Sequence, residues 1–207
     1  MEQTQEASVV AQKVSQLITV LQRERGASGV FLGSQGKNMQ DVLLRMRGQT
    51  DTALADARNL AGSADAGLDE ALATLGGLDA MRGQIDKLAI NNRESGARFT
   101  DIIRKLIGYT HAVERSVKDP TLSRALSSLN QFIEMKERAG RERAMLGVVF
   151  NQDRFDADLL STFSRNLGEF TAYSEGFRRN ASADFVRKLD ENCLLYTSDA
   201  ADEEDSV

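Results

Sequence analysis

Residues 14–32 read VSQLITVLQRERGASGVFL, a stretch with the spacing of a buried helix and an arginine on its apolar face. Positions 14, 18, 21, 25, 28 and 32 step by three or four, so they share one face of an α-helix. Arg25 is the charged member of that series. Because an unpaired buried charge costs several kcal/mol, its guanidinium requires either a carboxylate of the protein or an anion from outside.

A second stretch, residues 136–144 (KERAGRERA), places another arginine in the same way. Arg143 continues a series with three- and four-residue steps, whose other members are Leu122, Leu126, Leu129, Ile133, Lys136, Gly140 and Gly147. The glycines leave space on that face, and a planar guanidinium offers paired donors to a planar oxyanion. The pattern therefore indicates a pocket for a small anion, lined by Arg25 and Arg143.

Three further residues support this candidate pocket. Ser28 lies three positions after Arg25, so its hydroxyl faces the same way. Gly140 removes bulk beside Arg143, and Lys136 adds positive field about two turns earlier on the same stripe. We therefore name Arg25 and Arg143 as candidate ligand-binding residues, with supporting roles for the other three.

Glutamates close to both arginines offer a competing explanation. Glu24 directly precedes Arg25, and Glu142 directly precedes Arg143. Glu24 or Glu137 could neutralise the arginines across helices, which would leave a buried ion-pair network without a ligand. The chain would then be a structural or dimerisation bundle, and the residues alone leave both explanations open.

The composition and the apolar stripes predict an all-α fold. The 207 residues include one proline and no tryptophan, a composition that favours helices. We predict six main helices, with a possible break at Gly76-Gly77, over residues 5–31, 38–59, 68–91, 93–118, 120–150 and 154–190. Short connections between long amphipathic helices indicate an antiparallel bundle, with the option of two sub-bundles that share long helices.

Most catalytic chemistry is absent from the sequence. The chain has one histidine, His111, and lacks the paired Glu-x-x-His motifs of helical di-metal sites as well as any phosphate-binding glycine loop. We therefore expect no enzyme activity, no cofactor and no metal, and we interpret His111 as a residue of a helix surface or interface. A small anion would be the ligand.

The net charge of −5 comes from the last fifteen residues, which hold five acidic residues and no basic one. The rest of the chain has equal numbers of acidic and basic residues, so we expect no nucleic-acid surface. Residues 193–207 also resemble an in-frame translation of a sequencing adapter, although an ordinary acidic terminus is the alternative. We expect a helical sensor domain at 1–192, truncated at one or both ends, and a non-native, disordered tail at 193–207.

The two arginine motifs resemble a known family. QxERGxSxxFL at 22–32 and KExAGxERA at 136–144 are similar to the two signature blocks of the nitrate- and nitrite-sensing (NIT) domain family, and residues 47–51 (RGQTD) fit the same pattern. The resemblance covers residues 14–177. Members of this family are all-helical sensor modules, found in bacterial chemoreceptors, histidine kinases, cyclic-di-nucleotide enzymes and soluble antitermination regulators.

The resemblance implies that Arg25 and Arg143 bind nitrate or nitrite, one from each signature block. We expect the two cations to repel each other until an anion bridges them, and the resulting helix displacement to reach an output domain that this chain lacks. It also implies a homodimer in the extracytoplasmic (periplasmic) part of a membrane receptor, with a cytoplasmic regulator as the alternative. Membrane contact would come only through flanking segments, because the longest apolar run, residues 144–150, is far shorter than a span of about 20 residues.

Overall fold

The computed structural model describes residues 2–61, 66–152 and 154–191. Within these ranges the chain is helical, with a 3₁₀ turn at Thr74–Gly77 and a last helical run at 183–191. The α-helices are α1 (Glu2–Gly33), α2 (Gln40–Ala61), α3 (Ala66–Ala73), α4 (Leu78–Asp86), α5 (Asn92–Ser116), α6 (Pro120–Gln152) and α7 (Ala157–Asn180). The predicted tail at 193–207 lies outside the described residues.

The ends of most helices follow from local sequence signals. Asp119 accepts a hydrogen bond from the backbone N–H of Leu122 at 2.7 Å, and Pro120 opens α6, as predicted. The predicted helix over 68–91 is split at Gly76-Gly77 into α3, the 3₁₀ turn and α4. The predicted helix over 154–190 was wrong as one piece, because α7 ends at Asn180 and Ala181 is extended.

Helix α1 lies at the centre and packs against α2, α5 and α6. Two ion pairs show that α1 and α2 are antiparallel. Lys13 contacts Asp56 near the end of α2, whereas Glu24, further along α1, faces Arg47 in the first half of α2. Helix α5 packs against α3, α1 and α6, and α6 pairs most extensively with α7. The predicted all-α bundle is confirmed, and α1 and α5 are shared between its two halves.

The core is concentrated around α1 and α5. Its largest fully buried apolar side chains are Leu17, Ile18, Leu21, Leu68, Ile85, Phe99, Ile103 and Leu106. Helix α6 contributes buried side chains only up to Glu137, among those that the structure describes. Beyond Gly140, which still meets Arg25 of α1, α6 and α7 form a pair that diverges from α1 and α5. In the described ranges, no helix is long and apolar enough to cross a bilayer.

Candidate functional site

Arg25 projects from α1 into the junction of α1, α5 and α6. Its Nη1 donates to Thr100 Oγ1 of α5 at 2.9 Å and to Glu137 Oε1 of α6 at 2.8 Å. Its Nη2 donates to Glu137 Oε2 at 3.0 Å. The side chain is 13% exposed, so this is a nearly buried, bidentate ion pair. One guanidinium thus ties three helices together.

Glu137 is the acidic centre of the junction. The residue is 1% exposed, and its carboxylate also accepts from Gln22 Nε2 at 3.1 Å and from Arg141 Nε at 3.0 Å. Burial alone would raise the pKa of Glu137, but hydrogen bonds and charge from Arg25, with help from Gln22 and Arg141, hold it below its ordinary value. The carboxylate therefore remains ionised at neutral pH and keeps two cations in contact with it.

Two of the predicted supporting residues lie at this junction. A Cβ placed on Gly140 would come within 3.0 Å of Arg25 Nη2, so the glycine allows α6 to approach the guanidinium closely. Ser28 is fully buried, and within the described part of the chain its hydroxyl has no hydrogen-bond partner. Such an unsatisfied buried hydroxyl costs about 1–3 kcal/mol unless a water or ligand reaches it.

Lys136 lies beside the junction on the α1 side of α6. Its Nζ donates to Thr19 Oγ1 at 2.8 Å and lies 5.8 Å from the ring centroid of Phe132. Burial lowers the pKa of Lys136, and the nearby charge of Arg23 lowers it further. The lysine is thus a partly buried cation held against Thr19 of α1, one position before Glu137.

Arg143 does not face the core, and this part of the sequence interpretation was wrong. The residue is exposed because α6 has diverged from α1 and α5 at this point, and it forms no ion pair with any described residue. It lies three residues beyond Gly140, about 4.5 Å along the helix axis from the position that meets Arg25. The structure therefore places both arginines at the same end of the α1–α6 contact without bringing them together.

A cleft of about 220 Å³ opens on the other side of Glu137, between α5, α6 and α7. Its lining is rich in charges of both signs and consists of Arg104, Ile107, Glu134, Glu137, Arg138, Arg141 and Glu169. Arg138 donates to Glu169 at 2.8 Å and to Glu134 of its own helix. The cleft thus gives the Glu137 carboxylate a polar neighbouring space in which three arginines and two other carboxylates lie.

His111 lies at the edge of the same region, between α5 and α6, in agreement with an interface position. Its Nε2 is 3.2 Å from Glu134 Oε1, and its Nδ1 is 3.5 Å from Glu114 Oε2. The hydrogen bond to Glu134 raises the pKa of His111 against the opposing effect of burial. Among the described residues, no group of three or more His, Cys, Asp or Glu side chains is arranged to hold a metal ion.

The structure contains a second charged cluster, around Glu24, that the sequence did not lead us to predict. Glu24 is fully buried on the other side of α1, where Arg82 of α4 donates to it through Nε at 2.7 Å and Nη2 at 2.9 Å. Arg47 lies 4.0 Å from the same carboxylate. The sequence does indicate that Arg82 faces the core, because the residue lies on the helical series Leu75, Leu78, Arg82, Ile85.

Comparisons with known proteins show what the chain is similar to. The family model described as nitrate and nitrite sensing matches residues 16–202. The nitrate regulatory protein of Klebsiella oxytoca is 30% identical over 165 residues, which cover 76% of this chain and 42% of that protein. The structure of the NasR transcription antiterminator superposes with a TM-score of 0.83 at 24% identity, over 88% of this chain and 52% of that one. The chain spans about half the length of these relatives.

Proposed function

The chain belongs to the NIT family of nitrate- and nitrite-sensing domains, and on that premise we propose how it senses. It acts as the ligand-binding module of a bacterial signal-transduction protein and takes nitrate or nitrite between α1 and α6. Arg25 is the inner ligand and Arg143 the outer one. Ser28, Lys136 and Gly140 shape the pocket and its charge.

The observation that carries this proposal is the Arg25 junction. A guanidinium that is 13% exposed lies against a glycine, and a buried serine that has no partner among the described residues occupies the same face of α1 one turn away. A planar oxyanion matches the paired donors of the guanidinium, and the Ser28 hydroxyl supplies a further donor. Beside Arg82, the unpartnered donor of the described residues is the Nε of a second arginine, Arg47, and not a hydroxyl.

Arg143 enters the site through a movement of α6. The residue lies on the flank of α6 shared with Lys136, just beyond the glycine that meets Arg25. An anion held by Arg25 attracts Arg143 and draws the diverging part of α6 towards α1. A ligand that binds the closed arrangement more tightly shifts the population towards it, by no more than its differential affinity.

The signal leaves through α1 and the α6–α7 pair, and the output module belongs to the part of the protein outside this chain. We place the module in a homodimer, with an extracytoplasmic receptor as the preferred setting and a cytoplasmic regulator as the alternative. The coverage of about half of each relative supports an additional module. The similarity to a nitrate regulatory protein is the observation that supports the cytoplasmic alternative.

Titration calorimetry with sodium nitrate and sodium nitrite tests the proposal. Arg25→Ala should abolish measurable binding, and Arg143→Ala should weaken it by about tenfold or more, as loss of a charged hydrogen-bonding partner implies. Arg124→Ala is the matched control, because Arg124 is exposed near the start of the same helix as Arg143. Binding that survives unchanged in both site variants would reject these two residues as ligands.

One observation favours a second candidate, a structural or dimerisation bundle without a ligand. The Arg25–Glu137 pair satisfies the buried cation inside the protein, as the competing explanation requires. In that case nitrate and nitrite should give no heat above a chloride control and no thermal stabilisation. A saturable, Arg25-dependent isotherm would exclude this candidate.

A further inference from the structure

We propose that Glu137 is a built-in competitor that sets the anion affinity of the Arg25 site, and that nitrate or nitrite binds by displacing its carboxylate. This inference rests on the proposed function and concerns the regulation of the same site. Glu137 then works as an internal pseudo-ligand, which keeps the sensor unresponsive until the anion concentration is high enough to outcompete it.

The geometry of the Arg25 pair supports this exchange. Glu137 holds the guanidinium through both terminal nitrogens, at 2.8 and 3.0 Å, which is the planar, two-oxygen contact that a nitrate would make. The second hydrogen of Nη1 goes to Thr100. The terminal edge of the guanidinium is therefore already occupied, and an anion that takes this edge displaces the carboxylate.

The displaced carboxylate has other partners at hand. Arg141 Nε donates to Glu137 Oε1 at 3.0 Å from one turn further along α6, and Gln22 donates to Oε2 at 3.1 Å. A buried carboxylate that lost its sole cation would carry a heavy desolvation penalty. Because Arg141 stays in contact, Glu137 can leave Arg25 and remain paired, which lowers the free-energy cost of the exchange.

The cleft between α5, α6 and α7 receives the displaced group. Glu137 already lines it, together with three arginines, Arg104, Arg138 and Arg141, and two other carboxylates, Glu134 and Glu169, both of which accept hydrogen bonds from Arg138. A carboxylate that turns away from Arg25 enters this space and meets positive charge there. The exchange moves the contact of Glu137 from α1 to the opposite side of α6. Anion binding therefore breaks the ion pair between α1 and α6 and replaces it with a bridge through the anion.

The principal test compares Glu137→Gln with Glu142→Gln by calorimetry with sodium nitrate. Both variants remove one negative charge from α6, but Glu142 forms no ion pair within the described residues and does not touch Arg25. Removal of the competitor should lower the Kd of Glu137→Gln by about tenfold or more, because a site that was only fractionally available becomes fully available. Glu142→Gln should stay within about twofold of the original protein.

A second pair of variants keeps the proposal testable if Glu137→Gln folds poorly by circular dichroism. Arg141→Gln removes the cation that receives Glu137, so nitrate should bind about fivefold more weakly or worse. Arg104→Gln removes a charge from the same cleft without touching Glu137, and its effect should be clearly smaller. The difference between these two variants separates the receiving role of Arg141 from a general loss of positive potential.

The outcomes distinguish this inference from the proposed function. If the original protein binds nitrate through Arg25 but Glu137→Gln binds it equally or more weakly, Glu137 orients the arginine and does not compete, and the sensor proposal survives alone. If Arg141→Gln and Arg104→Gln behave alike, the exchange is also rejected. If neither the original protein nor Glu137→Gln binds nitrate or nitrite, the proposed function itself fails.

Discussion

Glu24 and Arg25 are neighbours in sequence, yet they face two different kinds of charged junction. Glu24 points towards α2 and α4, where Arg82 has an acceptor for each of its five N–H groups: both Glu24 oxygens, Asp51 Oδ1, Asp79 Oδ1 and the carbonyl of Arg47. Burial alone would lower the pKa of Arg82, but its bonds to Glu24 and Asp51 raise it. Arg82 is therefore saturated and joins α1, α2 and α4, whereas the Nε of the neighbouring Arg47, 4.0 Å from Glu24, has no hydrogen-bond partner among the described residues.

The Arg25 side is built differently. Its acid, Glu137, is shared by two arginines and a glutamine, and the nearby Ser28 hydroxyl has no partner among the described residues. A saturated arginine resists any exchange of partners, because the loss of one hydrogen bond leaves a buried charge uncompensated in a medium of low dielectric constant. An acid that already has a hydrogen bond from a second cation, as Glu137 has from Arg141 at 3.0 Å, permits exchange, whereas Arg47 only approaches Glu24 to 4.0 Å. A buried ion pair therefore marks a switch where a second partner is already bonded to the acid.

The largest expected effect is on the free energy of unfolding, which should fall more when the Glu24 junction loses its arginine than when the Glu137 junction does. Arg82→Met leaves the fully buried Glu24 with only Arg47 at 4.0 Å, so the free energy of unfolding should fall by about 3–5 kcal/mol. Arg25→Met leaves Glu137 with Arg141 and Gln22, and the loss should be only about 1–3 kcal/mol. Urea unfolding followed by circular dichroism measures both.

Arg104→Met is the control for that experiment. Its guanidinium pairs with Asp101 on the exposed surface of α5, so its loss should change the unfolding free energy by less than about 1 kcal/mol. Equal losses for Arg82→Met and Arg25→Met would contradict the distinction between a saturated and an exchangeable junction.

A smaller effect on stability should test the close approach of α6 to Arg25. Gly147→Ala adds a methyl group with nothing within 4 Å on an exposed part of α6, and it should stabilise the protein by up to about 1 kcal/mol through helix propensity. Gly140→Ala brings the same group to 3.0 Å from Arg25 Nη2, so most of that gain should disappear as the arginine shifts. Thermal melts of the pair give the difference, and nitrate binding should weaken in Gly140→Ala alone.

If both alanine variants gained the same stability and bound nitrate alike, the close approach of α6 to Arg25 would have no energetic consequence. The Gly140 position would then be an ordinary helix surface, and the supporting role that we assign to it would be withdrawn.

The smallest effect should be a pH dependence confined to the α5–α6 side. His111 faces Glu134 of α6 and Glu114 of its own helix, and Arg138 contacts Glu134 from the far side. Because the folded pKa of His111 is raised, its stabilising contribution is complete below the unfolded value of about 6.5 and is lost as the pH rises through the folded pKa. His111→Gln should therefore cost stability at about pH 5.5 and almost none at about pH 8.5.

Urea unfolding of the original protein and His111→Gln at both pH values measures this difference. The cluster around Glu24 contains no histidine, since His111 is the only one in the chain, so the penalty of Arg82→Met should be nearly the same at both values. A His111→Gln penalty that grew with pH would show that the sign is reversed.

The sequence predicted the burial of Arg25 correctly and that of Arg143 wrongly. The other members of the Arg25 series, from Val14 to Leu32, are buried because α1 is surrounded by α2, α5 and α6. Arg143 lies on a series with the same periodicity, but α6 leaves α1 and α5 beyond Gly140. Leu167 of α7 is exposed too, and so is Phe155, which precedes α7. Periodicity identifies a face of a helix, but it does not report how far a neighbour extends along it.

The sequence by itself determined the helical class, the position of most helix ends and the presence of arginines that need partners. Those features depend on local propensity, capping and spacing, which act within a few residues along the chain. Only the tertiary structure decided that Glu137 pairs with Arg25, that Arg82 reaches Glu24 and that Arg143 remains at the surface. These contacts join residues up to 112 positions apart, and their choice depends on how the helices pack around α1, which no local pattern specifies.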